Sequence, residues 1–333
     1  MPAYRCLNKQ EFSRGAYSLV PLRYEDRFAI MRWRNQQIYH LRQSSPLTEE
    51  DQQRYFDQVV AGLFAQERPG QVLFSYLENG RCIGYGGLVH INWTDRHAEV
   101  SFLMETEREE KEFALHWTQY LELLREVAFF QLKLHKLFTY AFDLRPHLYP
   151  VLESCGFVRE ATLKEHSLFE GSYKDVVIHS LLAYEFVNFT DCSREQSLEV
   201  LSLRNQEPIR RLMVSTEPIS EAAHLAFVER LKGTRDRLYY AVYKGGQLLG
   251  SWNLTREEDG VWDRGLIAAP QFQGSGETAR WDRQLLLSLP AEVKAVSAKV
   301  KTGNGRSLSY HRKMGFRELS RDGEYVYLIL PLE

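Results

Sequence analysis

A glycine-containing segment late in the chain has the composition of a phosphate-binding loop. It reads Gln271-Phe272-Gln273-Gly274-Ser275-Gly276 and lies between a predicted strand that ends near Ala268 and a helix that carries Trp281. The N-terminus of a helix offers unpaired N–H groups and the positive end of the helix dipole. Glycine lets the backbone turn sharply and approach an anion without a Cβ in the way. The spacing predicts a pyrophosphate site, with a purely structural turn as the alternative.

A second segment holds two titratable rings side by side, Tyr310 and His311, in a helix predicted between Asn304 and Gly315. Asn304 is a candidate N-cap, and Gly315 can end the helix in a left-handed conformation. Either ring can act as a general acid, because histidine titrates near neutral pH whereas a phenol with a pKa of ~10 stays protonated. One step along a helix turns a side chain by about 100°. The two rings therefore cannot face the same point, and the choice between them stays open.

Asp263 begins the strand that precedes the glycine loop. A carboxylate there can accept a proton from an amine, directly or through a water molecule. A salt-bridged or surface aspartate is the alternative interpretation.

The chain repeats itself, which indicates two domains of one ancestral type. Three pairs of segments recur in the same order: Arg34-Asn35-Gln36 with Arg204-Asn205-Gln206, Pro46-Leu47-Thr48-Glu49 with Pro218-Ile219-Ser220-Glu221, and Gly156-Phe157 with Gly315-Phe316. Chance supplies one such match but hardly three in order. The boundary is predicted near Ala183–Tyr184, which gives domains 1–183 and 184–333. No Pro- or Ser-rich linker separates them, so we expect the two domains to pack closely.

The elements predicted within the two repeats also agree. Thr48 and Ser220 each precede an acidic first turn and an apolar-periodic run, as N-caps do. Asn79-Gly80 and Gly245-Gly246 each separate two strand-like runs, which is a strong hairpin signal. A third strand, a long helix, another strand, a short helix and two closing strands follow in each repeat. The pattern predicts an α+β fold in which each domain has a mixed, mostly antiparallel sheet with flanking helices.

The order strand–Q-x-x-G-x-G–helix resembles the acyl-coenzyme A signature of the GNAT superfamily of N-acetyltransferases, and the segment from Asn304 to Phe316 resembles a second signature of that family. The resemblance implies two tandem GNAT-like domains and acetyl-CoA as co-substrate. In this family a tyrosine often protonates the departing thiolate; here His311 occupies its place and Tyr310 stands one residue earlier. The backbone of the strand before the loop would expose N–H groups to the thioester carbonyl. The implied cofactor-binding residues are Leu266, Ile267, Ala268, Ala269, Gln271, Phe272, Gln273, Gly274, Ser275, Gly276 and Asn304.

The first repeat differs at the place of the glycine loop. Glu105–Phe113 contains no glycine and has five acids against two bases. Carboxylates would repel a pyrophosphate, because like charges at ~5 Å cost several kcal/mol at an intermediate dielectric constant. We therefore expect a degenerate loop in the first domain and an intact loop in the second. A solvated acidic helix start is the simple structural interpretation of the acidic segment.

Composition narrows the remaining classes of function. A net charge of −2 gives no general basic field for nucleic acid. No stretch reads as a signal peptide or a membrane span, and the four cysteines form no metal-ligand cluster. We expect a cytoplasmic protein without a metal, and a homodimer stays open.

The expected activity is transfer of acetyl from acetyl-CoA to a primary amine of a small molecule. Segments 203–210 and 219–224 resemble enzymes that acetylate nucleotide-linked aminosugars, and this implies such a sugar as acceptor. Arg204, Asn205 and Arg210 are candidate donors to its diphosphate, with a solvated helix face as the alternative. A protein N-terminal or lysine acetyltransferase is a second hypothesis. In a third, the first domain has a non-catalytic role in ligand binding or dimerisation.

Overall fold

The chain divides into two compact units, Met1–Ala183 and Tyr184–Glu333. A computed structural model describes residues 2–41, 43–257, 260–289 and 292–332. Each unit is built around its own sheet.

The first unit contains an eight-stranded sheet in the order β1-β2-β3-β4-β5-β6-β8-β7. Its strands are β1 Phe12–Arg14, β2 Tyr17–Pro21, β3 Val72–Glu78, β4 Arg81–Asn92, β5 His97–Met104, β6 Lys136–Phe142, β7 Val158–Phe169 and β8 Ser172–Leu182. Its helices are α1 Arg27–Gln36, α2 Glu49–Tyr55, α3 Ala61–Leu63, α4 Thr106–Lys111, α5 Phe113–Arg125 and α6 Leu148–Ser154.

The second unit contains a seven-stranded sheet in the order β14-β15-β13-β12-β11-β10-β9. Its strands are β9 Glu185–Asn188, β10 Arg237–Lys244, β11 Gln247–Arg256, β12 Val261–Ala268, β13 Ala295–Lys301, β14 Arg317–Arg321 and β15 Tyr325–Pro331. Its helices are α7 Arg194–Asn205, α8 Glu207–Arg210, α9 Glu221–Leu231, α10 Glu277–Leu287 and α11 Gly305–Lys313.

The two sheets have the same strand order apart from the additional β1. Reading from β9 to β14 in the second unit gives the same succession as β2 to β7 in the first. In each sheet the neighbouring strands are antiparallel except for one central pair, β5–β6 or β12–β13. The prediction of mixed, mostly antiparallel α+β units is confirmed.

One long helix packs against the sheet of each unit, and a tryptophan is the fifth residue of both helices. Trp117 of α5 and Trp281 of α10 are buried in the hydrophobic cores of their units. Complete burial of a large apolar side chain contributes about 1.5–3 kcal/mol, so these helices are anchored mainly by packing.

The predicted caps of the preceding helices are confirmed. The hydroxyl of Thr48 accepts from the N–H of Asp51, and that of Ser220 accepts from the N–H of Ala223. Among the described residues, every helix falls short of the length and apolar character that crossing a bilayer requires.

Candidate active site

The central parallel strands of the second unit separate towards the C-terminal end of β12. β12 and β13 pair over three residues, the last pair being Asp263 with Ser297. β12 stays paired with β11 as far as Ala268, and β13 stays paired with β15 as far as Lys301. Strands that separate leave N–H and C=O groups on their facing edges without a strand partner. The split beside residues 264–268 can therefore hydrogen-bond a ligand.

The predicted strand residues lie along this split. Leu266 packs against the core beneath α10, whereas Ile267 packs against the core on the opposite face of the sheet. Ala268 is the last residue of β12. The N–H of Ala269 donates to the carbonyl of Leu249 at 2.9 Å. The backbone of Ala269 is thus already bonded within the sheet, and its amide is not available to a carbonyl in the split.

The glycine loop joins the end of β12 to the N-terminus of α10. Gly274 has φ +86° and Gly276 has φ +80°, and Gly276 is the N-cap of α10. A Cβ on Gly274 would meet no atom within 4 Å. Glycine is therefore required there by backbone conformation, and the space beside it is open. Ser275 bridges the turn, because its hydroxyl donates to the carbonyl of Phe272 at 2.7 Å and accepts from the N–H of Glu277 at 3.3 Å.

Basic groups surround the carboxylate in the first turn of α10. Glu277 accepts from the hydroxyl of Tyr184 at 2.6 Å, from Nζ of Lys244 at 3.3 Å and from Nη1 of Arg280 at 3.1 Å. Burial raises the pKa of Glu277, but the Tyr184 hydrogen bond and the charges of Lys244 and Arg280 outweigh it and hold the pKa below its usual value. Two cations thus face one carboxylate at this helix N-terminus.

A third cation reaches the loop from α11. Arg306 donates through Nη1 to Oε1 of Gln273, whose Nε2 donates to the carbonyl of Ala268 at 3.2 Å. Lys244, Arg280 and Arg306 thus all lie beside the loop, and ammonium and guanidinium groups are the side chains that bind a pyrophosphate. Sequence reasoning missed all three cations. For Arg306, the signal was its position directly after the predicted N-cap and glycine of α11.

Asn304 caps α11, since its Oδ1 accepts from the N–H of Ser307 at 3.1 Å. The predicted capping role is confirmed. Contact of Asn304 with a ligand stays a prediction.

A buried ion pair holds the helices over the split. Arg264 of β12 donates through Nη1 to Oδ2 of Asp282 on α10, and both side chains are fully buried. Asp282 also accepts from Nε1 of Trp252 at 2.8 Å and from the hydroxyl of Tyr310 at 2.6 Å. Burial and the charge of Asp282 raise the pKa of Tyr310 well above its usual value. The phenol therefore keeps its proton, which it donates to Asp282.

His311 is bonded on both ring nitrogens. Nδ1 lies 2.8 Å from the carbonyl of Ser307, and Nη2 of Arg264 contacts Nε2. A carbonyl only accepts and a guanidinium only donates, so Nδ1 carries the proton and Nε2 is an acceptor. Burial and the charge of Arg264 lower the pKa of His311 to about 4. The ring is thus neutral near pH 7, and its Nε2 accepts a hydrogen bond from Arg264.

Asp263 lies where β12 and β13 part. The side chain is half-buried, and its pKa is raised by burial and by the charge of Glu257, against a hydrogen bond from Ser297 and the charges of Arg264 and Lys299. A carboxylate with a raised pKa at the point where the two strands separate is suited to accepting a proton.

Asn35 and Asn205, which belong to the repeated motif, form hydrogen bonds with the loop that precedes α2 and α9 respectively. Nδ2 of Asn205 donates to the carbonyl of Ile219 at 2.8 Å, and Oδ1 accepts from the N–H of Ile219 at 2.9 Å. Asn35 makes the same two bonds with Leu47 in the first unit. This shared geometry gives the repeated motif a structural explanation, because both the oxygen and the nitrogen of the side-chain amide make hydrogen bonds within the protein.

The two neighbouring arginines hold the same loop. Arg204 donates to the carbonyl of Ser215 at 2.7 Å, and Arg210 donates to the carbonyl of Thr216 at 2.6 Å. Burial and the nearby charge of Arg210 lower the pKa of Arg204. Two guanidinium groups that lie this close favour an anion beside them.

The acidic segment of the first unit begins a helix, and Glu107 and Glu110 are exposed, as the simple structural interpretation expects, but its other acids are ion-paired. Glu109 is buried and bonded to Arg145 at 2.7 Å. Arg108 pairs with Glu78 at 2.6 Å and with Glu112 at 2.9 Å. The segment forms α4, which stands where the second unit has its glycine loop. Opposite charges a few ångströms apart offset the repulsion that the sequence suggested.

Two positions of the first unit correspond to residues of the second-unit site. Glu112 is the N-cap of α5, as Gly276 is of α10. Glu99 is the last β5 residue paired with β6, as Asp263 is the last β12 residue paired with β13. His90 contacts the carboxylate of Glu99 at 2.8 Å. Sequence reasoning did not identify Glu99 as a counterpart of Asp263.

Parts of this chain are similar to known acetyltransferases in sequence and in structure. Residues 19–178 match the sequence model of the acetyltransferase (GNAT) domain. The protein named acetyltransferase PseH from Campylobacter jejuni is 22% identical over 143 residues, which are 43% of this chain and 90% of that protein. The structure of spermidine N-acetyltransferase from Vibrio cholerae in complex with CoA and spermine is 22% identical with a TM-score of 0.45, covering 51% of this chain and 96% of that one. Campylobacter jejuni PseH in complex with acetyl coenzyme A is 18% identical with a TM-score of 0.37, covering 45% of this chain and all of that one, 100%.

Proposed function

Residues 19–178 belong to the GNAT family of acetyltransferases, as the sequence predicts, and from this premise we propose that the chain transfers acetyl from acetyl-CoA to the primary amine of a small molecule. We assign the co-substrate to the second unit. The observation that carries this assignment is the split between β12 and β13, which opens directly beside the glycine loop at Gly274 and Gly276. The first unit repeats the split, but α4 stands at the position of the loop.

The charges near the two helix N-termini support the same assignment. Lys244, Arg280 and Arg306 lie around the loop of the second unit with Glu277 as the neighbouring acid. In the first unit, Glu112 stands at the N-cap itself. A pyrophosphate is stabilised by the first arrangement, whereas in the second the carboxylate at the N-cap is already paired with Arg108 and His116 and offers no donor to an anion.

The proposed reaction uses three groups of the second unit. The amine nitrogen attacks the thioester carbonyl, a C–N bond forms, and the C–S bond breaks. Backbone N–H groups in the split stabilise the negative charge on the carbonyl oxygen. Asp263 accepts the proton that the amine loses, directly or through water. The hydroxyl of Tyr310 turns away from Asp282, breaking that hydrogen bond, and donates its one proton to the leaving thiolate. His311 positions Arg264. Arg264 in turn holds Asp282, and Asp282 holds the Tyr310 hydroxyl.

The acceptor that we propose is the amine of a nucleotide-linked aminosugar. The proposal depends on the resemblance of segments 203–210 and 219–224 to enzymes of that class. The paired guanidinium groups of Arg204 and Arg210 support it, because a diphosphate is the anion that such a substrate brings. Asn205 contributes indirectly by fixing the loop that these arginines hold.

The assignment of the co-substrate is tested by titrating acetyl-CoA into the intact chain by calorimetry. We expect one equivalent to bind, and we expect Gly274→Glu to abolish binding because it adds a carboxylate at the anion site. Gly233→Glu is the matched control: Gly233 has a φ of +81° and the same open surroundings, so the backbone strain is similar. Binding by Gly274→Glu at the affinity of the parent, or two equivalents bound tightly, would refute the assignment.

A further inference from the structure

The sheet of the second unit has two faces, and Asp263 lies on the one opposite α10. The β13 residues that belong to the core beneath α10 are Val296, Ala298 and Val300. Side chains alternate along a strand, so Ser297, Lys299 and Lys301 lie on the other face. Asp263 is paired with Ser297 and shares this face, which we call the Asp263 face.

Lys299 lies beside the split on the Asp263 face. β12 and β13 part after Asp263 and Ser297, and Lys299 follows two residues further along β13. Its side chain is exposed, and its Nζ lies 3.9 Å from the centroid of the Tyr325 ring, which attracts the positive charge. The ammonium makes no ion pair among the residues that the structure describes. Lys299 therefore places a cation next to the split with its N–H groups able to donate to a ligand.

The carboxylates on the Asp263 face are engaged differently. Glu257 accepts from the hydroxyl of Ser297 at 3.1 Å, and Asp322 accepts from the hydroxyl of Tyr327 at 2.9 Å. Burial raises the pKa of Asp263, and the charge of Lys299 is one of the groups that oppose this rise. Lys299 thus lies near enough to the proposed base to act on the same bound molecule.

Lys301 links the Asp263 face to the loop of residues 211–216. Its Nζ donates to the first carbonyl of that loop at 2.9 Å. Arg204 and Arg210 donate to two carbonyls further along the same loop. Along β13, Lys299 lies between the split and this loop. A molecule that extends from the split to the loop therefore passes Lys299.

Asn253 faces Lys299 from the other side of the split. It is paired with Gly265, and a Cβ on Gly265 would lie 2.2 Å from Oδ1 of Asn253. Glycine at this position therefore leaves room for the amide. If the pairing of β12 with β13 continued, Gly265 would lie opposite Lys299. The amide offers a donor and an acceptor to hydroxyl groups, whereas the ammonium offers a positive charge.

The spacing along β13 suits a phosphate that lies one sugar ring away from an amine. Two residues of a strand span about 7 Å, which is about the distance from the 4-amine of a pyranose to the phosphorus on its anomeric oxygen. An ammonium donates strongly to a phosphate oxygen. A polyamine would instead bring a second cation towards Lys299, and like charges repel.

We propose that Lys299 determines the acceptor specificity of the second unit by pairing with a phosphate one sugar ring away from the reacting amine. The inference rests on the proposed function and adds the residue that recognises the phosphate attached to the sugar. Arg204 and Arg210 then bind the next phosphate, and the amide of Asn253 bonds hydroxyls of the sugar ring.

The test compares two acceptors at saturating acetyl-CoA: a dTDP-linked 4-amino-6-deoxy sugar and the same aminosugar without the nucleotide. In Lys299→Gln we expect KM for the linked sugar to rise about three- to tenfold, a moderate effect because the ammonium is exposed. The kcat for the linked sugar and the KM for the free sugar should stay unchanged. Lys299→Glu should raise KM for the linked sugar further and lower KM for spermidine, because the charge is reversed.

Lys294→Gln is the matched control, because it removes an equal charge from an exposed lysine directly before β13. It should leave KM for both sugars unchanged, and unfolding midpoints show whether each variant is folded. The proposal is overturned, with the proposed function intact, if the parent acetylates both sugars and Lys299→Gln alters the two KM values equally or alters neither. Acetylation of neither sugar by the parent would overturn the proposed acceptor as well.

Discussion

Arg264 of β12 donates to the carboxylate of Asp282 on α10, and neither side chain is exposed to solvent. The same carboxylate accepts from Trp252 and Tyr310, so it joins strands β11 and β12 to helices α10 and α11. A buried pair is costly to break from one side because the remaining charge is left without a partner. The position of Tyr310 over the split thus depends on this pair.

Replacement of Asp282 should destabilise the second unit strongly. We expect Asp282→Ala to lower the free energy of unfolding by about 3–5 kcal/mol, since it leaves Arg264 buried and uncompensated. Chemical denaturation monitored by hydrogen exchange of second-unit peptides measures the change. Glu318→Ala breaks the exposed pair with Arg321 and should change the stability by less than about 1 kcal/mol. Equal effects of the two substitutions would contradict the structural role of Asp282.

The stability of the second unit should fall in mild acid because of His311. Burial and the charge of Arg264 lower its pKa to about 4, whereas an unfolded histidine has a pKa of about 6.5. Since the unfolded chain binds the proton more readily, the contribution of the neutral ring is complete above about pH 6.5 and declines as the pH drops towards 4. The measurement is the free energy of unfolding of the second unit between pH 4 and 8, by hydrogen exchange.

His311→Gln should flatten that pH dependence in the second unit only. His40 offers the counterpart in the first unit, where burial and the charge of Arg145 lower its pKa to about 3. His40→Gln should therefore alter the acid response of first-unit peptides and leave those of the second unit unchanged. An acid response of the second unit that persists in His311→Gln would assign it to other groups.

Arg306 should contribute to acetyl-CoA affinity through its position beside the loop. A charge-assisted hydrogen bond contributes about 1.5–3 kcal/mol, so Arg306→Gln should raise the dissociation constant roughly 10- to 100-fold. Arg312→Gln removes an equal charge from an exposed position of the same helix and should have a small effect. The loss in Arg306→Gln should also reduce the salt dependence of binding. If the two variants bind equally well, the site of the pyrophosphate lies elsewhere.

We expect Tyr310 to act as the general acid and His311 to hold the Tyr310 hydroxyl in position. Tyr310→Phe keeps the ring but removes the only proton that the phenol can donate, so kcat should fall about 10²- to 10⁴-fold with little change in acetyl-CoA affinity. His311→Gln keeps a side chain that can bond to Arg264, and we expect a smaller loss of kcat that follows its loss of stability. Full activity in Tyr310→Phe would show that the thiolate leaves without this residue.

The sequence predicted the fold well because the repeat and the hairpin signals are local. Asn35 and Asn205 marked the repeat correctly, but their shared task of binding the backbone of Leu47 and Ile219 required tertiary geometry to recognise. The glycine loop was visible as a pattern. Lys244 was not, because it reaches Glu277 from a strand 33 residues away in sequence.

Charge alone misled the interpretation of the first unit for the same reason. The acids of the loop appear unbalanced when they are counted in sequence, yet Arg145 reaches Glu109 from across 36 residues. His311 shows the converse limit: its type suggests a titrating group near neutral pH, and only the contact with Arg264 reveals a ring held neutral. The protonation of a buried group depends on partners that are distant in sequence, and a single sequence does not reveal which residues these partners are.

The proposed acceptor class can be tested through what must reach Asp263. On the proposed function an amine enters the split as a free base, and we propose that the rest of the molecule binds near the loop held by Arg204 and Arg210. A nucleotide-linked 4-amino-6-deoxy sugar brings both an amine and a diphosphate, whereas spermidine brings only cations, which the two guanidinium groups repel. In a competition assay with dTDP- or UDP-linked aminosugars, spermidine and N-terminal peptides, we expect the aminosugars to be acetylated with the highest kcat/KM. Arg204→Gln should raise KM for the nucleotide sugar without changing KM for an amine that lacks the diphosphate. Preferential acetylation of spermidine or of a peptide would refute the aminosugar as acceptor and leave the acetyl-CoA site in the second unit intact.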